Sequence, residues 1–220
     1  MTTFTINAKP GTDIWRKPPH TDIFNAPTAG PASAGLKNTP ARGPLSTFRS
    51  ARISFSFPWK EQYDQAGLLL SIYPKNPKPS NSPGPEKWIK TGVEYYNSKP
   101  MLSTVSCDNW ADWSVSPLTT SSPSSAGEDK IWTTISIEKE HDKHGSSLWV
   151  YQILEGGEEV ALREICWVYG SSTAPVEEWE VEVLAMACRP STKDSSGRDL
   201  LQAEEELVAE FRDFDLQWSK

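Results

Sequence analysis

The chain has 220 residues, of which 37% are hydrophobic and 23% charged, and these proportions are ordinary for a globular protein. Its formal net charge of −7 argues against nucleic acid as a partner, because a phosphate-binding surface is basic, and it argues equally against an anionic membrane surface. No apolar run approaches the ~20 residues of a membrane-spanning helix, and the N-terminus has no apolar segment typical of a secretory signal.

Proline-rich stretches dominate the first part of the chain. Fourteen of the eighteen prolines lie in the first hundred residues, and the stretch 27–44 is rich in Pro, Gly, Ala and Ser. Such a composition does not support regular elements, so residues 1–44 are predicted to form a proline-rich extension of long loops that packs on the rest of the chain. Further loops are predicted at 74–85 and 114–129. The whole chain, residues 1–220, is predicted to be one domain.

Between these loops apolar and polar residues alternate with a period of two, which is the pattern of strands with one buried face. Ile53, Phe55 and Phe57 share such a face in the first segment. The predicted strands are Arg52–Phe57, Gly67–Tyr73, Trp88–Tyr96, Met101–Cys107, Ile131–Ile137, Leu148–Leu154, Ala161–Tyr169, Trp179–Cys188 and Val208–Trp218. A short helix is predicted only at Asp199–Glu206. This pattern predicts an all-β sandwich or barrel.

The predicted strand Trp88–Tyr96 has two different faces. Ile89, Val93 and Tyr95 form an apolar face that suits the core of a sandwich. The opposite face carries rings and charges, from Trp88, Lys90, Glu94 and Tyr96. Aromatic rings interleaved with a few charged groups are typical of a ligand-binding surface, where the rings supply contact area and the charges fix orientation. The alternative is that these rings also belong to the core.

Two other segments repeat this mixture of rings and charges. Arg163, Trp167 and Tyr169 share a face of their predicted strand, and a dense aromatic cluster follows the strand that ends at Cys107. The cluster contains Trp110, Asp112 and Trp113. It is predicted to lie at the rim of a ligand pocket. The alternative is that it only packs against the end of the sandwich.

Metal and cofactor chemistry has no support in the sequence. His141 and His144 lie in a predicted turn without a third ligand nearby, and no phosphate-cradling glycine loop or nucleophile motif occurs. The three cysteines form an odd set without a close pair, which predicts buried free thiols in a reducing compartment. We therefore predict a cytoplasmic protein with no metal, no cofactor and no membrane partner. Its oligomeric state is left open.

Several segments in chain order resemble a family of unknown function that has a concanavalin-A-like fold and includes the yeast regulation of enolase protein. The segments are Asp64–Leu69, Trp88–Tyr96, Asp112–Ser114, Arg163–Trp167 and Ala187–Pro190. A further stretch, Asp13–Pro19, resembles the fungal members. The resemblance implies a jelly roll of two antiparallel sheets with a concave groove, over which Trp15 and Arg16 either fold as a lid or simply pack.

The resemblance extends to fungal enzymes of secondary metabolism that catalyse hetero-Diels–Alder reactions of tropolone and terpene partners. It implies a cofactor-independent cyclase for apolar natural-product intermediates. A pericyclic step needs two partners held in a reactive pose and a donor that polarises a carbonyl, so Lys90, Arg163, Glu94 and Gln65 are the predicted catalytic residues. The alternatives are a lectin-like or other small-molecule binding module without turnover, and an interaction protein that regulates a metabolic enzyme.

Overall fold

The computed structural model describes residues 2–77, 79, 82–119, 130–170, 175–203 and 205–219, and this part of the chain is built almost entirely from strands. The strands are β1 (Phe4–Ala8), β2 (Ile14–Lys17), β3 (Thr21–Phe24), β4 (Thr28–Ala29), β5 (Arg42–Pro44), β6 (Phe48–Ser56), β7 (Gln65–Pro74), β8 (Lys87–Tyr96), β9 (Lys99–Cys107), β10 (Ala111–Pro117), β11 (Thr133–Asp142), β12 (Gly145–Ile153), β13 (Glu159–Ile165), β14 (Trp179–Cys188) and β15 (Leu207–Trp218). A single α-helical turn among these residues, α1, spans Leu200–Ala203.

Two antiparallel sheets face each other. The six-stranded sheet has the order β1-β15-β6-β11-β12-β13, and the seven-stranded sheet has the order β10-β9-β8-β7-β14-β4, with β5 also paired to β14. Strands β2 and β3 form a separate two-stranded hairpin, called here the N-terminal hairpin. No helix within the described residues is both long and apolar enough to cross a membrane.

The main core lies between the two sheets and comes from the alternating residues that the sequence pattern singles out. Ile53 and Phe55 of β6 and Ile89 and Val93 of β8 all belong to this core, and all four side chains are at most 1% exposed. Burial of each such side chain contributes about 1.5–3 kcal/mol, which makes this layer the main source of stability. The predicted all-β sandwich of two antiparallel sheets with a concanavalin-A-like arrangement is confirmed.

The structure differs from the predicted elements in three places. Residues 1–44 contain five short strands among their loops, and β1 extends the six-stranded sheet beside β15. Residues 111–117, predicted partly as a loop, form the edge strand β10. The predicted strand Ala161–Tyr169 ends at Ile165, and Trp167–Tyr169 form a 3-10 turn instead. Residues 120–129 of the predicted loop 114–129 lie outside the described residues.

A second, smaller hydrophobic cluster covers part of the outer face of the seven-stranded sheet, which is the face turned away from the main core. Ile14 of the N-terminal hairpin packs there on Leu69, Trp88, Val105 and Met186. These side chains are at most 2% exposed. The N-terminal hairpin therefore acts as a cover on this sheet and leaves the neighbouring part of the outer face open.

Candidate functional site

A groove of about 730 Å³ opens on the outer face of the seven-stranded sheet, beside the N-terminal hairpin. Its volume is in the range typical of small-molecule sites. The groove is lined by Asp13, Trp15, Lys17, Tyr63, Gln65, Lys90, Glu94, Val105, Trp113, Pro190, Ser191, Thr192 and Lys193. Polar and aromatic side chains thus share the lining, and the residues come from the N-terminal hairpin, β7 to β10 and the segment that follows β14.

Three polar side chains form the floor of the groove. Gln65, Lys90 and Glu94 are each only 4–5% exposed, and they lie on β7 and β8 with Gln65 directly opposite Glu94. The Lys90 ammonium donates a hydrogen bond to Asp13 Oδ1 at 3.1 Å and lies 5.9 Å from the ring centre of Trp15. Buried charges persist where they are paired, so this contact between strand and hairpin keeps Lys90 at the floor.

The carboxyl group of Glu94 is held from one side only. Ser103 Oγ donates to Glu94 Oε2 at 2.7 Å, and the Trp113 indole N–H donates to the same oxygen at 3.0 Å. No described residue donates to Oε1. Burial raises the pKa of Glu94, and this effect exceeds the opposing effects of Lys90 and of the two hydrogen bonds. A buried carboxyl with a raised pKa and one free oxygen is a candidate proton donor or acceptor toward a bound ligand.

Aromatic rings form one wall of the groove. Tyr96 packs edge-on against Trp113 with ring centres 4.9 Å apart, and Tyr63 stacks on Tyr96 at 6.0 Å. Tyr63 is 39% exposed and presents its ring at the entrance. A wall of this kind offers flat apolar area next to the polar floor.

Glycines 67 and 92 stand opposite each other on β7 and β8, beside the polar floor. A Cβ atom on Gly92 would meet the carbonyl oxygen of Ala66 at 2.0 Å, and one on Gly67 would meet that of Thr91 at 2.1 Å. Glycine is thus required at both positions for the close approach of the two strands. The pair leaves a part of the sheet surface without side chains between Lys90 and Glu94.

The rim of the groove after β14 is anchored by a buried ion pair. Arg189 donates to both carboxylate oxygens of Asp64, at 2.9 and 2.7 Å, and the two side chains are at most 1% exposed. Arg189 also donates to the carbonyl of Glu205 at 2.9 Å. Ser191 Oγ donates to the carbonyl of Gln62 at 2.6 Å. These bonds fix the rim segment 190–193 against the start of β7.

Five of the residues predicted for the site line this groove. They are Trp15, Gln65, Lys90, Glu94 and Trp113. Tyr96 supports the wall by its contact with Trp113 and is half-buried. The strand around Lys90 has Ile89 and Val93 in the core, as predicted, and the groove on its other side. Tyr95, which was also predicted on the core face, is half-buried and lies outside the core cluster.

Trp88 lies beneath the N-terminal hairpin and Arg16 belongs to the hairpin itself, and neither side chain lines the groove. Trp88 is 1% exposed and belongs to the second cluster. Arg16 bonds to Asp22 at 3.0 Å and to the carbonyls of Pro85 and Glu86 at 3.0 and 2.8 Å. The hairpin covers Trp88, and Arg16 binds the hairpin to the proline-rich loop between β7 and β8. Neither side chain is therefore available to a ligand in the groove.

Arg163 and Asp112 occupy a different place from the one expected. Arg163 belongs to β13 in the six-stranded sheet, and it forms an ion pair with Asp112 and a 2.9 Å hydrogen bond to Ser114, both on β10. Because β13 and β10 are the edge strands of different sheets, this contact joins the two sheets at their edge. Trp110, which is 43% exposed, lies in the turn before β10 and does not line the groove.

Trp167 and Tyr169 pack at the main core, on the other side of the seven-stranded sheet. The Lys87 ammonium lies 5.4 Å from the ring centre of Trp167, and the Lys139 ammonium lies 4.7 Å from that of Tyr169. The 3-10 turn breaks the alternation that would have placed the rings with Arg163. Neither ring lines the groove.

Sequence reasoning missed several residues of the lining. Asp13, Lys17, Tyr63, Val105 and the segment 190–193 all contribute to it. Except for Val105, they lie at strand ends or in turns, where no alternation marks a side chain as facing the groove. Among the described residues, no group of three or more His, Cys, Asp or Glu side chains is arranged to hold a metal ion.

Comparison with known proteins gives a family. An uncharacterised protein of Emericella nidulans, AN7484, is 37% identical to this chain over 210 residues, which is 96% of this chain and 87% of that protein. The crystal structure of a functionally unknown protein from Saccharomyces cerevisiae is similar with a TM-score of 0.58 at 17% identity, and the similarity covers 100% of this chain and 89% of that one. Residues 1–218 match the profile described as "Protein of unknown function (DUF1349)", and the chain belongs to that family.

Proposed function

We propose that the protein is a cofactor-independent enzyme that binds a small organic molecule in the groove and acts on it by orientation and hydrogen bonding. The observation that carries the proposal is the buried polar floor of Gln65, Lys90 and Glu94 at the base of a groove of about 730 Å³. Burying three such groups is costly unless they are used or fully paired, and Glu94 keeps one oxygen without a donor from the described residues.

The specific reaction proposed is a hetero-Diels–Alder cyclisation that joins a tropolone-derived heterodiene to a terpene alkene. The aromatic wall would hold the apolar partners side by side, which converts a bimolecular step into an effectively unimolecular one. Protonated Glu94 would donate a hydrogen bond to the carbonyl oxygen of the heterodiene, and Lys90 would add a second donor. The free thiols of the chain support a cytoplasmic setting for this activity, because such compartments keep thiols reduced.

The test compares product formation with and without the purified protein. A tropolone-derived heterodiene and a terpene alkene are mixed, and the rate and stereochemistry of the adduct are followed by chiral chromatography. We expect a single stereoisomer and a faster reaction with the wild-type protein. We expect Glu94→Leu to lose roughly 10²-fold or more of the acceleration, since it removes the positioned hydrogen-bond donor. Glu158→Leu, which alters an exposed turn outside the groove, is the matched control.

A non-catalytic carbohydrate-binding module is the second candidate, and one observation favours it. The exposed ring of Tyr63 lies at the groove entrance next to hydrogen-bonding groups such as Asp13 and Gln65, and sugars bind to such combinations of ring and polar groups. A glycan array with wild-type protein and Tyr63→Ala separates the two candidates. Ring-dependent glycan binding without any turnover would replace the enzymatic proposal.

A further inference from the structure

Two lysines stand at the rim of the groove without a carboxylate partner. Lys17 ends β2 of the N-terminal hairpin, and Lys193 lies in the segment after β14; both are exposed and both line the groove. Within the described part of the chain, no carboxylate lies within 4.0 Å of either ammonium group. The two positive charges thus reach the groove from different segments and remain available there.

The acidic residues in the same two segments are already occupied. Asp22 on the partner strand of the hairpin forms an ion pair with Arg16 at 3.0 Å. Asp194, next to Lys193 in the chain, forms one with Arg198 at 3.0 Å and accepts hydrogen bonds within its own turn. Asp199, which is bridged to Lys193 through the backbone, accepts hydrogen bonds from the N–H groups of Leu201 and Gln202. Each of these carboxylates therefore has other partners among the described residues.

The charge of the lining is opposite to the charge of the molecule. The lining contains three lysines against the two carboxyl groups of Asp13 and Glu94, whereas the chain as a whole has a net charge of −7. Lys90 is paired with Asp13 at the floor. A positive groove in an acidic protein attracts anionic ligands over both neutral and cationic ones.

We propose that the groove takes an amphipathic organic anion, with a flat apolar body and one carboxylate or comparable acidic group. The body lies against Trp15, Trp113 and the ring of Tyr63, and the acidic group binds at the rim formed by Lys17 and Lys193. The inference rests on the proposed function in that the groove is the site of ligand binding. It goes further by naming the chemical class of the ligand and the residues that select it.

Two dyes that differ by one acidic group test this inference. The anionic probe is 8-anilinonaphthalene-1-sulfonate, and the neutral probe is N-phenyl-1-naphthylamine, which has the same ring system without the sulfonate. Binding of each dye to the full chain is followed by fluorescence at low ionic strength. We expect the anionic dye to bind more tightly, and we expect its affinity to fall with added salt while that of the neutral dye does not.

Variants then assign the preference to residues. Lys17→Gln and Lys193→Gln should each weaken the anionic dye roughly two- to fivefold and leave the neutral dye unchanged, in line with exposed ion pairs. The double variant should remove most of the preference for the anionic dye. Lys143→Gln, at an exposed turn outside the lining, is the matched control. Trp113→Ala should weaken both dyes, because it removes a ring from the wall.

The possible outcomes separate this inference from the proposed function. If the lysine variants weaken both dyes equally, or if Lys143→Gln has the same effect as they do, recognition of an anion is overturned while the groove remains a binding site. If both dyes bind equally well and only Trp113→Ala matters, the same conclusion follows. If neither dye binds, or if Trp113→Ala changes neither affinity, the groove does not receive such ligands and both proposals fall.

Discussion

At the scale of single residues, buried and exposed ion pairs differ sharply in how much they contribute to the free energy of unfolding. Asp64 and Arg189 form a doubly hydrogen-bonded pair that is at most 1% exposed. Arg189→Met would leave the Asp64 carboxylate buried without its counter-charge, and we expect a loss of about 3–5 kcal/mol in the free energy of unfolding. Urea denaturation followed by fluorescence measures the loss. Arg163→Met is the control, because its partner Asp112 is 71% exposed and the expected loss is below about 1 kcal/mol. Equal losses would contradict the argument.

Glu94 is the residue for which structure implies a pH dependence of stability. Burial raises its pKa above the ordinary value of 4.5, so the folded protein retains this proton at pH values where the unfolded chain has lost it. The contribution of Glu94 to stability is therefore complete below about pH 4.5 and is lost as the pH rises through the folded pKa. As the pH rises through this range, we expect the free energy of unfolding of the wild type to fall relative to that of Glu94→Gln. Parallel stability curves for the two proteins in urea titrations from pH 4 to pH 8, roughly, would contradict this.

At the scale of elements, the pairing of β7 with β8 depends on two glycines. A methyl group on Gly92 would collide with the backbone of Ala66, and backbone cannot move aside as a flexible side chain can. We expect Gly92→Ala to destabilise the fold by about 2 kcal/mol or more, as other strained or overpacked substitutions do. Gly170→Ala is the control, because a Cβ there meets only ordinary contacts, the nearest at 3.7 Å. Thermal unfolding of both variants measures the two losses of stability, and equal losses would contradict this role of Gly92.

The sequence predicted strands well where a strand has one apolar face. It predicted poorly which residues from distant parts of the chain come into contact. Alternation identified β8 and its apolar face, because Ile89 and Val93 both enter the main core. It could not show that the opposite face is divided between the second cluster at Trp88 and the groove at Lys90 and Glu94. The contact between Lys90 and Asp13 joins residues 77 positions apart, and no local pattern encodes such a distance. Arg163 was expected in the groove because its strand carries rings, but β13 belongs to the opposite sheet. Assignment of strands to sheets is a property of the whole topology.

At the scale of the whole molecule, the N-terminal hairpin and the sandwich beneath it differ in the contacts that hold them. Among the described residues, the two strands of the hairpin pair only with each other. The hairpin is held in place by the second cluster, by the bonds of Arg16 to Pro85 and Glu86, and by the contact of Asp13 with Lys90. Cys107 and Cys188 lie in that cluster, whereas Cys166 is exposed on the six-stranded side. We therefore expect the hairpin to open locally without unfolding of the sandwich.

Thiol labelling tests this local opening. Burial raises the pKa of Cys107 to about 11 and also raises that of Cys188, so neither thiol should react in the closed state. We expect native protein to react at Cys166 alone, because this thiol is exposed, although desolvation and the nearby Glu164 raise its pKa too. Arg16→Ala should make Cys107 reactive at least roughly tenfold faster while far-ultraviolet circular dichroism stays unchanged, because the bonds between the hairpin and the proline-rich loop are gone. Arg49→Ala, at an exposed position of β6, should leave the labelling rates as they are. If Cys107 became reactive only together with loss of the dichroism signal, the hairpin would be an inseparable part of the sandwich rather than a separately opening cover.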